Sequence, residues 1–188
     1  MKINFNNIAN IKDIKSLKKY KLNKPIFLNN YLFHYLILTK NLKDLKLYKF
    51  PIFKENEDGM NGFHLAAYYD NIDILQYLIS KYPDYIYNKD FNEKNFMWFS
   101  SYTNNKIKDL VQKNKLDLDL LFYDFIKIND VKKNLLEMYF EISNYKIIKK
   151  ILSELDLDLN RIFNEKPVFF SLLLNKNLNF IQKKKLLN

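Results

Sequence analysis

The chain has 188 residues, a length typical of one domain or a short array of repeats. Hydrophobic residues make up 48% of it and cysteine is absent, which excludes wholesale disorder, disulfides, thiol catalysis and cysteine-bound metal centres. The net charge of +10 is concentrated at the two ends: residues 1–57 carry +8, residues 58–180 carry −1 and residues 181–188 carry +3.

Glycine and apolar runs are both scarce. The two glycines, Gly59 and Gly62, are too few for the common phosphate-binding loops. The longest apolar runs are eight residues, against the ~20 needed to span a bilayer, and the N-terminus lacks the apolar region of a signal peptide. We therefore expect a cytoplasmic protein without membrane insertion, or a nuclear one if Lys183–Lys185 acts as an import signal.

Residues 1–29 are predicted to form an N-terminal capping segment. Ile8, Ile11, Ile14 and Leu17 recur every three residues with charged residues between them, which predicts a helix with one apolar stripe. Such a helix is wide enough to cover the exposed face of a first repeat, and end repeats need a polar outer side.

Residues 30–188 contain five similar segments, which begin near residues 30, 60, 93, 133 and 166. Their matching positions start at Phe33, Phe63, Phe96, Leu136 and Phe169, and an asparagine falls at or beside the same place in each. Spacings of 30 to 40 residues indicate a repeat architecture.

Each segment reads as two short helices joined by a turn. In the second segment, Phe63, Ala66 and Ala67 form one apolar stripe, and the residues from Ile74 to Ile79 form another. Between the stripes lies Asp70-Asn71, a pair that tolerates positive φ angles and is predicted to end the first helix in place of glycine.

The second segment resembles the ankyrin repeat, a unit of ~33 residues. The resemblance is carried by the hairpin glycine Gly59, by the run Phe63-His64-Leu65-Ala66-Ala67 and by the aspartate Asp84. Gly62 stands where the family has proline. The resemblance implies an all-α ankyrin solenoid of about five helix-turn-helix repeats behind an N-terminal capping helix.

His34 and His64 are the only two histidines. A metal site or a general base is one interpretation. The other, favoured by their equivalent places in successive segments, follows from the resemblance: the histidine bonds to backbone groups of the turn. No third nitrogen or thiol ligand is evident for zinc, so the sequence predicts no cofactor and no metal.

Two period-2 runs lie between segments, at 116–120 and 155–159. Asp117 and Asp119, like Asp156 and Asp158, share one face of an extended run and might be read as paired acids for hydrolysis or as a weak cation site. Because the run recurs in register with the repeats, solvated loops are the better interpretation.

The resemblance also predicts where a partner binds. In the ankyrin family, the residues after the alanine pair and the hairpin tips form the contact surface, and exposed aromatic side chains are frequent interface anchors. The alternative, that the tyrosine rings pack between repeats, stays open. The predicted partner-binding residues are Glu57, Asp58, Met60, Tyr68, Tyr69, Asp90, Phe91, Tyr102, Phe122 and Tyr123.

The spacing between the third and fourth segments is the longest, which implies an insertion of about seven residues within 121–134. Phe122, Tyr123 and Phe125 would make it an exposed, adhesive loop. The alternative is one extra helical turn that continues the core, and both remain open.

We therefore expect a non-catalytic protein that binds another protein through its concave face and hairpin tips. The alternative is binding of nucleic acid or an anionic surface by the lysine-rich ends, although arginine occurs only as Arg161 and A/T-rich codons explain lysine equally well. The base composition, by analogy, suggests a viral or effector protein that engages a host factor.

Overall fold

The computed structural model describes residues 22–26, 28–100, 109–111, 113–117, 121–122, 125–128, 131–155, 157–163 and 165–187. The chain divides into two compact units, residues 1–100 and residues 101–188. The predicted capping helix, with its stripe from Ile8 to Leu17, lies outside the described residues.

The first unit is built from two helix pairs. Helices α1 (Leu32–Leu38) and α2 (Leu42–Leu47) form the first pair, and α3 (Gly62–Tyr68) and α4 (Ile72–Lys81) form the second. Helix α1 packs against α3, and short 3-10 turns follow at Pro83–Tyr85 and Phe96–Trp98.

The turns inside the two pairs have the same geometry. Lys40 and Asp70 each adopt a positive φ, of 56° and 50°. The next residue then donates its backbone N–H to a carbonyl five positions back: Asn41 to Leu36 at 2.8 Å, and Asn71 to Ala66 at 2.8 Å. The prediction that Asp70-Asn71 ends a helix in place of glycine is confirmed.

The core of the first unit follows the predicted apolar stripes. Phe33, Phe63 and Leu75 are fully or almost fully buried, and the small side chains of Ala66 and Ala67 are also buried, which allows neighbouring helices to approach closely. The side-chain amide of Asn71 donates to the carbonyl of Ile37 at 3.1 Å, which ties the second pair to the end of α1.

The second unit mixes helices with antiparallel strands. Strand β1 (Phe125–Ile128) pairs with β2 (Val131–Asn134), with Ile128 opposite Val131. Strand β3 (Ile162–Phe163) pairs with β4 (Lys166–Pro167). The helices in chain order are α5 (Leu135–Ile142), α6 (Tyr145–Glu154), α7 (Phe170–Leu174) and α8 (Phe180–Leu187).

Helix α5 packs against α7, and α6 packs against α8. Asn175, just after α7, donates its side-chain amide to the carbonyls of Phe140 at 2.6 Å and Ser143 at 2.8 Å. An asparagine thus ties one helix pair to the preceding helix in the second unit, as Asn71 does in the first.

The fold-class prediction, an all-α ankyrin solenoid of about five helix-turn-helix repeats, is wrong. Two antiparallel strand pairs interrupt the second unit. In the third predicted segment the three-residue 3-10 turn Phe96–Trp98 stands where the first α-helix was expected, residues 109–111 are helical, and residues 101–108 lie outside the described residues.

Part of the insertion within 121–134 is the buried helical turn that one of the two expectations described, and part of it is paired strand. It contains the β1–β2 hairpin, because Val131–Asn134 folds back in register on Phe125–Ile128. Before the hairpin, Leu121 and Phe122 lie in a short helical turn and are buried.

Candidate functional site

A cleft with a volume of about 340 Å³ opens in the first unit. It lies between α1, the turn before α3, and the C-terminal end of α3. We call it the tyrosine cleft; the residues that line it are Asn30, His34, Tyr35, Leu38, Asn56, Asp58, Met60, Leu65, Tyr68 and Tyr69.

The turn from Asn56 to Met60 forms one wall of the cleft. The side-chain oxygen of Asn56 accepts the backbone N–H groups of Asp58 at 3.1 Å and Met60 at 2.9 Å, and its own N–H donates to the Met60 carbonyl at 3.0 Å. Gly59 closes the turn at φ 75°. Because Asn56 is itself buried, the turn holds the exposed Asp58 in a fixed place.

The end of α3 forms the opposite wall. Tyr68 is the last residue of that helix and Tyr69 caps it, and their backbones are fixed because Tyr69 donates its N–H to Leu65 at 3.0 Å. The two rings meet edge to face with centroids 5.1 Å apart, and Tyr68 also contacts Phe99 at 6.2 Å. Even so, 60% of Tyr68 and 39% of Tyr69 stay exposed.

His34 lies in the base of the cleft and is buried. Its Nδ1 accepts the backbone N–H of Tyr31 at 3.0 Å, and its Nε2 lies 3.2 Å from the carbonyl of Lys54. Both ring nitrogens therefore have backbone partners. Burial lowers the pKa of His34 to about 3, so the ring is neutral at physiological pH.

His64 has the same surroundings one segment later. Its Nδ1 accepts the N–H of Asn61 at 3.1 Å, and its Nε2 lies 3.0 Å from the carbonyl of Asn88. The interpretation that both histidines form hydrogen bonds with the backbone of the turns is confirmed. Among the described residues, no cluster of three or more His, Cys, Asp or Glu side chains is placed to hold a metal ion.

Four predicted partner-binding residues meet in the tyrosine cleft: Asp58, Met60, Tyr68 and Tyr69. Glu57 is exposed in the same turn. These positions are far apart in the two-helix segment, and the packing of the turn against the helix end brings them together.

The other predicted residues lie elsewhere. Phe91 is 68% exposed at the tip of the next turn, whereas Asp90 is buried and its carboxylate accepts the N–H groups of Asn92 and Lys94 inside that turn. Phe122 is fully buried. Asp90 and Phe122 thus offer no contact surface. Tyr102 and Tyr123 lie outside the described residues.

Tyr35, which lies on α1, also lines the cleft, although it is not among the predicted partner-binding residues. A signal was present: Tyr35 follows His34 as Leu65 follows His64, and both residues line the cleft. Burial raises the pKa of the Tyr35 hydroxyl above its usual value, so this ring is uncharged.

The aspartates of the period-2 runs form no acid pair in the part of the chain that the structure describes. Asp117 and Asp158 are exposed, and Asp158 accepts the backbone N–H of Asn160 at 3.0 Å, as loop aspartates commonly do. Asp119 and Asp156, their predicted partners, lie outside the described residues.

No protein-family model matches the sequence, and no curated protein matches it. The resemblance to the ankyrin family therefore stays a prediction from the residues of the second segment.

The chain is similar to a solved structure described as the Bd0816 predatory endopeptidase from Bdellovibrio bacteriovorus in complex with immunity protein Bd3460. The TM-score is 0.68 at 16% sequence identity, and the match covers 96% of this chain and 91% of the other. At this identity, the similarity concerns the fold.

This comparison corrects three predictions. The description of the similar structure names an endopeptidase and an immunity protein rather than an ankyrin protein, which is a second ground against the predicted solenoid. The prediction that this protein is not an enzyme is contradicted by the same likeness to an endopeptidase structure. The comparison also leaves the predicted viral or effector role and the host partner without support.

Within the described ranges, no helix has the length and apolar character required to cross a membrane.

Proposed function

We propose that this protein binds a partner protein through the tyrosine cleft. The observation that carries the proposal is the convergence of Tyr68, Tyr69, Met60 and Asp58 on one concave surface of the first unit. Large aromatic side chains beside a shaped depression are the usual anchors of protein interfaces, because they bury much area for little lost rotamer freedom.

The cleft is ordered before any partner arrives. Asn56 fixes the turn through two side-chain hydrogen bonds, and His34 links α1 to the carbonyl of Lys54. A surface whose backbone is already fixed loses less conformational entropy on binding, which favours affinity.

Packing inside the protein does not account for the tyrosine rings. Tyr68 contacts Tyr69 and Phe99, yet more than half of its surface remains exposed. An exposed ring held by neighbouring rings is suited to contact a partner, whereas a ring that only fills space between helices would be buried.

The charge of the cleft argues against nucleic acid at this surface. Asp58 contributes a negative charge, and phosphates require the opposite sign. The C-terminal lysines, to which the alternative assigns nucleic-acid binding, lie on α8, where the ammonium of Lys183 donates to the carbonyl of Leu173 at 2.6 Å. Binding by the basic ends stays a prediction.

The similar solved structure supports a protein partner. Its description is of two proteins in complex, so a chain with this fold occurs in a protein assembly. That partnership is a property of the other protein, and the chemistry of the partner here has to be argued from the cleft.

Affinity capture with the full chain, followed by mass spectrometry, tests the proposal. We expect the double variant Tyr68→Ala, Tyr69→Ala to bind its partner at least about thirtyfold more weakly and to recover correspondingly less of it, because interface anchors each contribute on the order of 1–2 kcal/mol. Circular dichroism should show unchanged helical content.

The matched control is Phe180→Ala, which removes an exposed aromatic ring from α8 in the second unit. Capture by this variant should equal that of the original chain. If the tyrosine variant captures its partner equally well, the cleft is not the binding surface and the proposal fails.

A further inference from the structure

The tyrosine cleft carries one charge. Asp58 and His34 are the two lining residues other than the tyrosines with a side chain that titrates, and His34 is buried and bonded to backbone at both nitrogens. Burial lowers the pKa of His34 to about 3, so its ring is neutral at physiological pH and Asp58 is the lining residue that carries a formal charge.

The carboxylate of Asp58 is available to a ligand. Its backbone N–H donates to Asn56, which fixes the residue, while its side chain is exposed. Among the described residues, the ion pairs are Lys89–Glu93 and Lys133–Glu141, so Asp58 has no cationic partner in that part of the chain. Glu57, also exposed, adds a second negative charge beside it.

Two partly exposed tyrosine rings line the same cleft as this carboxylate. Tyr68 is 60% exposed and Tyr69 39%, and the face of each ring is negative. Aromatic faces attract cations, by about 0.5–1 kcal/mol at exposed sites and more where water is displaced. Met60 and Leu38 supply apolar surface for a hydrocarbon stem.

We infer that the tyrosine cleft receives a positively charged side chain, an arginine or a lysine, from the partner protein. The charged head pairs with Asp58 and lies against the tyrosine rings, and the stem lies along Met60 and Leu38. This inference rests on the proposed function and specifies the chemistry of its partner.

The size of the cleft fits this occupant, and the background charge makes its binding depend on Asp58. A volume of about 340 Å³ is at the lower end of ligand sites, which suits one long side chain. The protein as a whole carries +10, so a cationic ligand is repelled in general and its binding requires a local site such as Asp58.

The test is a titration of the full chain, observed by NMR, with four small amides. N-acetyl-arginine amide and N-acetyl-lysine amide carry the charge, whereas N-acetyl-citrulline amide and N-acetyl-norleucine amide are neutral controls of similar shape. We expect saturable shifts at the backbone amides of Asp58, Tyr68 and Tyr69 with the charged amides alone. A stronger response to arginine identifies a guanidinium, and equal responses identify either cation.

Asp58→Asn should weaken binding of the charged amides by about fivefold. The NMR spectrum of this variant should remain that of a folded protein. The matched control is Glu55→Gln, which removes the same charge from an exposed residue outside the cleft and should bind as the original chain does. Equal binding of charged and neutral amides, or no effect of Asp58→Asn, overturns the inference.

Different results would overturn the cationic occupant and the proposed protein-binding function. If capture of the partner depends on Tyr68 and Tyr69 but is unaffected by Asp58→Asn, the cleft binds protein and the cationic occupant is wrong. If capture is independent of the tyrosines, the proposed function itself is wrong.

Discussion

Asn56 and Asp90 perform the same task in successive turns. Each is buried, and each side-chain oxygen accepts two backbone N–H groups, from the residues two and four positions later. An amide and a carboxylate serve equally because the turn requires only an acceptor. The sequence placed Asp90 on the contact surface because residue type alone does not distinguish an aspartate buried in a turn from one that is exposed.

The buried histidines predict how stability depends on pH. Burial lowers the pKa of His34 to about 3 and also lowers the pKa of His64. In the unfolded chain both titrate near 6.5, so below that pH the unfolded state binds protons that the folded state excludes. Folding is therefore favoured above pH 6.5 and weakened as the pH falls towards 3.

We expect the burial of His34 to lower the free energy of unfolding by about 1.4 kcal/mol per pH unit over that window, and His64 to add a fall in the same direction. Urea denaturation at pH 7, 5 and 4 measures the fall, and NMR titration of the two imidazoles measures their pKa values directly. A folded-state imidazole of His34 that titrates near 6.5 contradicts the prediction.

At the scale of elements, the turns before the helices support one another. Gly59, at φ 75°, lies close to Phe91 of the following turn: a Cβ at residue 59 would collide with the backbone nitrogen of Phe91 and with its ring. The turns thus make close contact, and Phe91 remains exposed on the other side.

Gly59→Ala should therefore destabilise the protein by more than about 2 kcal/mol, because a side chain meets backbone and is forced to a positive φ. The control is Gly62→Ala at the start of α3, where a Cβ would lie 3.2 Å from the carbonyl oxygen of Ile52. Gly62 has no positive φ and its closest contact would be less severe, so Gly62→Ala should cost less than Gly59→Ala.

Urea denaturation of both variants checks this pair. If Gly59→Ala is as stable as the original chain, the turns do not pack as described.

The hydrogen bond of Gly62 also explains why glycine stands where the ankyrin pattern has proline. The backbone N–H of Gly62 donates to the carbonyl of Ile52 at 3.0 Å, and proline has no such hydrogen.

At the scale of the whole molecule, the division into two units has a functional consequence. Every residue that lines the tyrosine cleft belongs to residues 1–100. The first unit also contains its own core, built on the contacts of α1 with α3 and of α3 with α4.

We therefore expect a fragment of residues 1–100 to fold and to capture the partner. Circular dichroism with thermal unfolding should show a cooperative transition, since the helices bury their apolar faces within this unit. A fragment of residues 1–60 is the control, because it lacks α3 and leaves the apolar face of α1 without its neighbour. Loss of cooperative unfolding in residues 1–100 contradicts independent folding.

The sequence by itself determined that the first two segments form pairs of short helices and that the chain turns at Asp70-Asn71. These features depend on local spacing, on caps and on φ preferences, which a short stretch of residues fixes. The backbone role of His34 and His64 and the choice of Tyr68 and Tyr69 came from the resemblance of the second segment to the ankyrin repeat.

Only the tertiary structure decided the strand pairs, the burial of Asp90 and Phe122, and the place of Tyr35 beside Asp58. Each depends on contacts between residues far apart in the chain, and such contacts leave no local period in the sequence. For the same reason an inventory of residue types failed to settle whether the protein is an enzyme: reactive groups act through the distances that folding imposes on them.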